Sequence, residues 1–318
     1  MEKTVAMLGA IGNTPLVRLK KVVPEGAARV LVKLEYYNPT GSYKDRMALA
    51  MIERAERRGA LTPGMTVVEY TGGSTGIALA FVCGVKGYRC RIVCNDAVAL
   101  EKRRAMEIFG AELEVLKSDG GKLTPDLVPR MMARARELAA EGPSYATDQM
   151  RNPDMVAGYE ALGDELLRQV EGPIHTFAAA VGTAGMLMGT ARALKRGSPA
   201  TGIVAFEPAT SRLLSGGPAG RHGVEGVAPG FVPPQFDRDL VDRVLDVDEG
   251  EGRRMAWELA RREGLFAGTS TGLNVAGAIR LAREIGAGHT VVTVAVDSGF
   301  KYLAGDLYAA APGDASRR

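Results

Sequence analysis

Cysteine is scarce: only Cys83, Cys90 and Cys94 occur in 318 residues. An odd number cannot all pair, and the spacing to other Cys or His residues is not that of a metal site, so no metal is expected. Cys90 and Cys94 are expected on one face of a buried strand, as small core hydrophobes. An excess of one charge is also missing, since 40 Lys+Arg stand against 37 Asp+Glu for a net +3. The two signs are interspersed, so no basic face for nucleic acid is implied. No apolar run reaches the length of a membrane span, and Met1-Glu2-Lys3-Thr4 lacks the basic-then-apolar pattern of a signal peptide. A cytoplasmic protein without nucleic-acid or membrane partners is expected. Aromatics are few, at 6%, which leans towards an Ala- and Gly-rich α/β architecture.

What is abundant is glycine, with 40 residues clustered in short turns, in a chain long enough to form two domains or subdomains. Short β-rich runs alternate with helical patterns, the signature of βαβ units and largely parallel sheets. The runs at 30–34, 66–70, 89–94, 113–116, 176–181, 203–206 and 291–296 are read as strands. Met47, Ala48, Ile52 and Ala55 recur at helical spacing, as do Val128, Met131, Ala135 and Leu138. Gly142-Pro143 and Asn152-Pro153 bracket a turn-rich stretch, read as a crossing between domains. The Gly- and Pro-rich stretch from Ser215 to Pro234 is long for a structureless loop and is read as a functional lid or edge. The tail after Ala311 is expected to fray.

Four Gly- and hydroxyl-rich turns carry the candidate chemistry. Asn38-Pro39-Thr40-Gly41-Ser42-Tyr43-Lys44-Asp45-Arg46 leads from a strand into a helix, with Ser42 as a candidate N-cap and Asp45 as the acidic half of a capping box. Lys44 then falls in the first helical turn, where the positive end of the helix dipole disfavours a cation and favours a reactive neutral amine. Glu69-Tyr70-Thr71-Gly72-Gly73-Ser74-Thr75-Gly76 offers N–H groups and hydroxyls that converge on an anion, and a carboxylate would suit it. An ordinary capped turn is the plain alternative. Gly182-Thr183-Ala184-Gly185-Met186 follows an apolar strand and opens a helix, a cup for phosphate. Its spacing is neither that of a Walker loop nor that of the dinucleotide fingerprint, which disfavours a nucleotide. The fourth turn, Glu263 to Gly272, presents Thr269 and Ser270 for a neutral hydrogen bond to a ligand ring.

Taken together, these segments resemble the cysteine synthase (O-acetylserine sulfhydrylase) and cystathionine β-synthase family, pyridoxal-phosphate enzymes of the type II, tryptophan synthase β-like fold. The resemblance runs from Ile11 to about Leu307 and includes the opening Gly12-Asn13-Thr14-Pro15-Leu16-Val17-Arg18-Leu19, Glu207-Pro208, Ser215-Gly216-Gly217 and His222 to Pro233. It implies pyridoxal 5'-phosphate as cofactor and Lys44 as the catalytic lysine that carries it. It further implies Gly182, Thr183, Ala184, Gly185 and Met186 around the cofactor phosphate, Ser270 at the pyridine nitrogen, and Ser74 at the phenolic oxygen. Thr71, Gly72, Ser74, Thr75 and Gln149 would hold the substrate carboxylate. A neutral serine at the ring nitrogen leaves it unprotonated, which suits elimination of a β-leaving group better than transamination.

The sequence departs from the family pattern in several places. Ser74 stands where an asparagine is usual, Ala184 and Met186 replace a glycine and a threonine of the cup, and Ala228-Pro229 replaces part of the glycine-rich substrate loop. The usual His and Thr of the helix after Gln149 are not found around Gly158 and Leu162. The expected division is a larger domain of 1–41 plus 148–318 and a smaller one of 42–147, with the active site between them. The expected activity is β-replacement on an O-activated L-serine by a small nucleophile, in a homodimer. β-Elimination, releasing pyruvate and ammonia, is the alternative within the same chemistry. A non-catalytic binding module is the alternative of another class, and the intact Lys44, cup and Ser270 argue against it.

Overall fold

The computed structural model describes residues 6–120 and 126–309, so the tail after Ala311 lies outside the described residues. In chain order the strands are β1 (Leu16–Arg18), β2 (Arg29–Leu34), β3 (Thr66–Tyr70), β4 (Arg89–Asn95), β5 (Glu112–Leu116), β6 (Ser144–Ala146), β7 (Thr176–Ala180), β8 (Gly202–Pro208), β9 (Arg243–Val247) and β10 (Thr290–Ala295). The α-helices are α1 (Lys44–Arg57), α2 (Ser74–Lys86), α3 (Leu100–Ile108), α4 (Leu127–Ala140), α5 (Pro153–Gly158), α6 (Glu160–Gln169), α7 (Gly185–Gly197), α8 (Glu249–Glu258) and α9 (Thr269–Ile285). The described residues fall into two compact units, one drawn from Met1–Ile11 and Lys44–Gly158, the other from Gly12–Tyr43 and Tyr159–Arg318.

The first unit is built on a four-stranded sheet in the order β5-β4-β3-β6, with every neighbouring pair parallel. Its central strands are largely buried, with Val67, Val68, Ile92 and Val93 at 0–1% exposure, as expected where helices cover both faces of a parallel sheet. Leu127, Met131, Ala135 and Leu138 of α4 pack on Val68, Tyr70 and Val93 of the sheet. Val128, expected on that buried stripe, is exposed instead. Residues spaced 4, 4 and 3 apart form one face of a helix, and the run that starts at Leu127 satisfies this while Val128 lies about 100° round the axis. Cys83, Cys90 and Cys94 are free and buried in this unit, as expected for the strand pair.

The second unit carries a six-stranded sheet in the order β1-β2-β10-β7-β8-β9, parallel except for β1 against β2. Its core gathers Val30, Val32, Phe206, Leu273, Val275, Ile279 and Val291. Lys33, next to the end of β2, is fully buried yet satisfied: its Nζ lies 2.6 Å from Glu165 Oε2 and donates to the Thr14 carbonyl and to Gln169 Oε1. Glu165 in turn accepts from Asn13 N at 2.9 Å, and Glu35 accepts from the Thr14 hydroxyl at 2.6 Å. A buried charge persists when its partner and hydrogen bonds are complete, and here the completed set fastens the Gly12–Leu19 segment. No described helix is long and apolar enough to cross a membrane.

Candidate active site

In the first unit, Lys44 is the first residue of α1 and only 8% exposed. The position ahead of it is Tyr43, so Ser42 stands one residue further out than an N-cap. Ser42 instead forms an isolated antiparallel bridge with Asp297. That bridge and the hydrogen bond from Tyr43 N to the Val296 carbonyl hold Ser42 and Tyr43 within the second unit. α1 packs on α5 at a close crossing, where a Cβ on Gly158 would lie 2.9 Å from the Arg46 carbonyl oxygen.

The Thr71–Gly76 turn lies between β3 and α2 of the same unit. Its Thr71 N donates to the Val93 carbonyl, and the Thr71 hydroxyl accepts from Gly73 N at 3.2 Å. The Thr75 hydroxyl donates to Gln149 Oε1 at 2.7 Å, while Gln149 Nε2 donates to the Tyr70 carbonyl at 3.2 Å. Thr71, Thr75 and Gln149 are thus brought together, with Gly72 exposed and Ser74 half-buried at the opening of α2. The N–H groups of Ser74 and Thr75, in the first turn of the helix, have no intrahelical acceptor and are open to an anion.

Beneath this turn sits a residue that sequence reasoning left without a role. Glu69 is 1% exposed, and its carboxylate accepts from Tyr70 N at 2.9 Å, from the Thr147 hydroxyl at 2.6 Å and from Gln149 N at 3.0 Å. Burial pushes its carboxyl up to about 7, against the lowering effect of those three donors. The signal was present in the sequence: a glutamate closing an otherwise apolar strand is expensive to bury unless its oxygens are occupied.

In the second unit, the Gly182–Met186 turn joins β7 to α7, and all five residues are buried. A Cβ on Gly182 would lie 2.1 Å from the Gly226 carbonyl oxygen, so only glycine fits. The Val181 carbonyl accepts from Ala228 N at 2.9 Å. Ala184 takes the left-handed conformation with φ 69°, turning the chain so that Gly185 and Met186 begin the helix with unpaired N–H groups. Glu207, near the end of β8, is buried and accepts from Leu214 N, Ser215 N and the Ser215 hydroxyl, which folds the start of the irregular 209–237 stretch.

Ser270 is the second residue of α9, 3% exposed. Its helix is locked by flanking polar groups: Thr271 Oγ1 accepts from Val296 N at 2.9 Å, and Asn274 accepts from Ala180 N while donating to the Val294 carbonyl. Gly268 leaves room for ring and carboxylate, since a Cβ there would meet Tyr302 Cε2 at 2.3 Å and Asp297 Oδ1 at 2.5 Å. Among the described residues, no group of His, Cys, Asp or Glu is arranged to hold a metal ion. Each unit therefore presents a glycine-rich helix opening suited to an anion, buried in the second unit and partly open in the first, and the first adds a buried lysine.

The family model of the pyridoxal-phosphate dependent enzymes matches residues 7–297. The chain belongs to that family. As a pyridoxal-phosphate enzyme it has relatives along most of its length. A cysteine synthase of Staphylococcus aureus is 43% identical over 302 residues, covering 94% of this chain and 95% of that protein. The solved cysteine synthase of Entamoeba histolytica superposes with a TM-score of 0.90 at 32% identity, covering 97% of this chain and 92% of that one. An O-ureido-L-serine synthase superposes with a TM-score of 0.91 at 34% identity, covering 96% of both chains. The fold is therefore the type II pyridoxal-phosphate fold that the sequence resemblance implies, and the cofactor is pyridoxal 5'-phosphate.

Proposed function

We propose that this enzyme catalyses β-replacement on an O-activated L-serine, with O-acetylserine and sulfide giving cysteine and acetate. The observation that carries this reading is the 43% identity to a cysteine synthase across 94% of the chain. The residues also fit the cofactor: the Gly182–Met186 cup offers backbone N–H groups at a helix opening where a Cβ has no room, which suits a phosphate.

Pyridoxal phosphate, when bound, supplies the electron sink for bond changes at the α- and β-carbons of the amino acid. In this reading Lys44 carries the cofactor and, once released, its Nζ takes the α-proton as general base. Gly182, Thr183, Ala184, Gly185 and Met186 anchor the phosphate, and Ser270 offers the ring nitrogen a neutral hydroxyl, which leaves that nitrogen unprotonated. Thr71, Gly72, Ser74, Thr75 and Gln149 hold the substrate carboxylate by N–H, hydroxyl and amide donors. Ser74 also reaches the cofactor's phenolic oxygen with one donor, where an asparagine would have two. As acetate leaves and sulfide adds, one C–O bond is exchanged for one C–S bond with no net oxidation. The protein is proposed to act in the cytoplasm as a homodimer.

The test follows O-acetylserine with and without sulfide. Cysteine formed only when both are present is the expected result. Pyruvate and ammonia as main products in either condition would reassign the enzyme to elimination. Retained cofactor absorbance with no amino-acid loss would favour a binding module.

A further inference from the structure

The carboxylate of Glu69 is the hub of the Gln149 segment. One oxygen, Oε2, accepts from both the Thr147 hydroxyl and Gln149 N, at 2.6 and 3.0 Å, while Oε1 accepts from Tyr70 N at 2.9 Å. A carboxylate is an acceptor at both oxygens, so three donors can converge on it; a carboxylic acid has lost one acceptor site to its own hydrogen. Asp148, between Thr147 and Gln149, takes the left-handed conformation with φ 42°, a backbone state disfavoured for a non-glycine residue. The two bonds from Thr147 and Gln149 to Glu69 hold that turn in place. From it, Gln149 reaches back to the Tyr70 carbonyl and accepts the Thr75 hydroxyl at 2.7 Å. The chain of contacts runs unbroken from Glu69 to the mouth of the Thr71–Thr75 turn.

We infer that Glu69 is a positioning residue for substrate binding, whose ionised carboxylate sets the Gln149 segment and, through the Thr75–Gln149 hydrogen bond, the carboxylate-holding turn. The inference rests on the proposed role of that turn and names the group that controls it. Protonation has a defined route. The Thr147 hydroxyl lies 3.3 Å from the Val68 carbonyl, so it can turn its hydrogen there and accept from a protonated Oε2. Gln149 N then faces an O–H oxygen, a poorer acceptor, and the turn loosens.

The groups that face Glu69 do not compete for this role near neutrality. Asp148 adds a like charge that favours the protonated form. The Tyr70 phenol is pushed up to about 12 and stays neutral, with Arg151 and Arg136 pulling it slightly back. On the neighbouring strand β4, the contact with Cys83 and burial hold the Cys90 thiol well above its ordinary range. The carboxyl that titrates near pH 7 within this cluster is Glu69 itself.

The experiment has two arms. In the protein without cofactor, amide hydrogen exchange of Gln149 is measured against pH and corrected for the intrinsic rate. Protection is expected to rise as pH passes about 7, to lose that step in Glu69→Gln, and to show it at higher pH in Thr147→Val, which removes one donor to the ionised form. In the cofactor-loaded enzyme, Glu69→Gln is expected to raise KM for O-acetylserine several-fold, with kcat held within about twofold. A residue that only supports the fold would lower the melting temperature without this split. A Gln149 exchange profile with no step, or one unmoved in Thr147→Val, overturns the inference, as does an unchanged KM in folded Glu69→Gln. Should Glu69→Gln not fold, Thr147→Val decides. An intact exchange step in a protein that does not turn over O-acetylserine would count against the proposed activity alone.

Discussion

The turn that opens α2 is braced by side chains, whereas the turn that opens α7 is braced by backbone. Around Thr71–Gly76 the contacts come from Glu69, Thr75, Thr147 and Gln149, groups that can rotate, titrate or be exchanged for others. Around Gly182–Met186 the backbone supplies the hydrogen bond from Ala228 N to the Val181 carbonyl and the close approach of Gly182 to the Gly226 carbonyl. The contrast matches the proposed tasks. A phosphate that stays bound needs a fixed nest of N–H groups, which backbone supplies with little freedom to lose. A substrate that enters and leaves at every turnover is better met by groups that adjust. On this contrast, added bulk at the cup's glycine should matter most there, whereas at the substrate turn the loss of side-chain donors and acceptors should.

The largest effect is expected at Lys44, the side chain on which the proposed chemistry chiefly depends. Lys44→Ala is expected to abolish the visible absorbance of bound cofactor and all turnover, since a methyl group can neither carry the cofactor nor take a proton. Absorbance and product formation in the purified variant check this, and retention of either would displace Lys44. Next comes Gly182→Ala, the purest steric change at the cup. Its new Cβ would sit 2.1 Å from a carbonyl oxygen that cannot swing aside as a side-chain end can. Overpacking of this kind costs about 3 kcal/mol, so cofactor affinity, read by equilibrium titration, should fall a hundred-fold or more. A drop below threefold would show that the cup yields, and the contrast with the other turn would collapse.

Much of this arrangement is legible in the sequence, because its devices are local. The expected strand at 66–70 coincides with β3, and those at 89–94, 113–116, 176–181, 203–206 and 291–296 each match an observed strand to within two residues at either end. Strands β1 and β6 escape because three residues are too few to show a period, and β9 because Arg243 and Asp246 break its apolar pattern. Val128 fits the buried face by spacing, yet the periodicity beginning at Leu127 is as good. A one-residue phase error is easily made in an Ala- and Met-rich helix such as α4. What local pattern cannot supply are the partners distant in sequence: Thr147 for Glu69, Glu165 for Lys33, Val296 for Thr271. Each is a contact that exists only once distant parts of the chain are brought together by the fold.

Glu69 allows the side-chain half of the comparison to be read as stability. Its carboxyl moves from 4.5 to about 7 on folding. Below pH 4.5 both the folded and unfolded states hold the proton and the group is silent. Between 4.5 and about 7 the folded state keeps a proton that the unfolded state releases, so stability falls as pH rises, and above about 7 the full penalty stands. Each tenfold rise in proton affinity on folding corresponds to about 1.4 kcal/mol, so the loss is on the order of 3 kcal/mol. Urea denaturation of the cofactor-free protein at pH 5 and pH 8 should show that slope, and Glu69→Gln should lose it while wild-type and variant converge in trend elsewhere. A parallel pH dependence in the two proteins would remove titration from the account of this turn.

The smallest effect is expected at Ala184, and it tests the backbone half most finely. With φ 69° this residue occupies the left-handed region, which costs an L-residue about 1–2 kcal/mol relative to glycine. Ala184→Gly removes that strain. It also frees the unfolded chain, an opposing effect of about 0.4–1 kcal/mol, and exposes the space of one buried methyl, worth up to about 0.8 kcal/mol. The three contributions nearly cancel, so thermal stability should change by less than about 1 kcal/mol in either direction. Cofactor affinity carries the sharper reading. The N–H groups of residues 184–186 are the same in both proteins, and a methyl that contacts no anion contributes nothing to holding one. Affinity for pyridoxal phosphate should therefore stay within about threefold of wild type, a change of about 0.6 kcal/mol. A tenfold change at unchanged stability would mean that the Ala184 side chain shapes the cup after all, and that the two turns differ in degree rather than in kind.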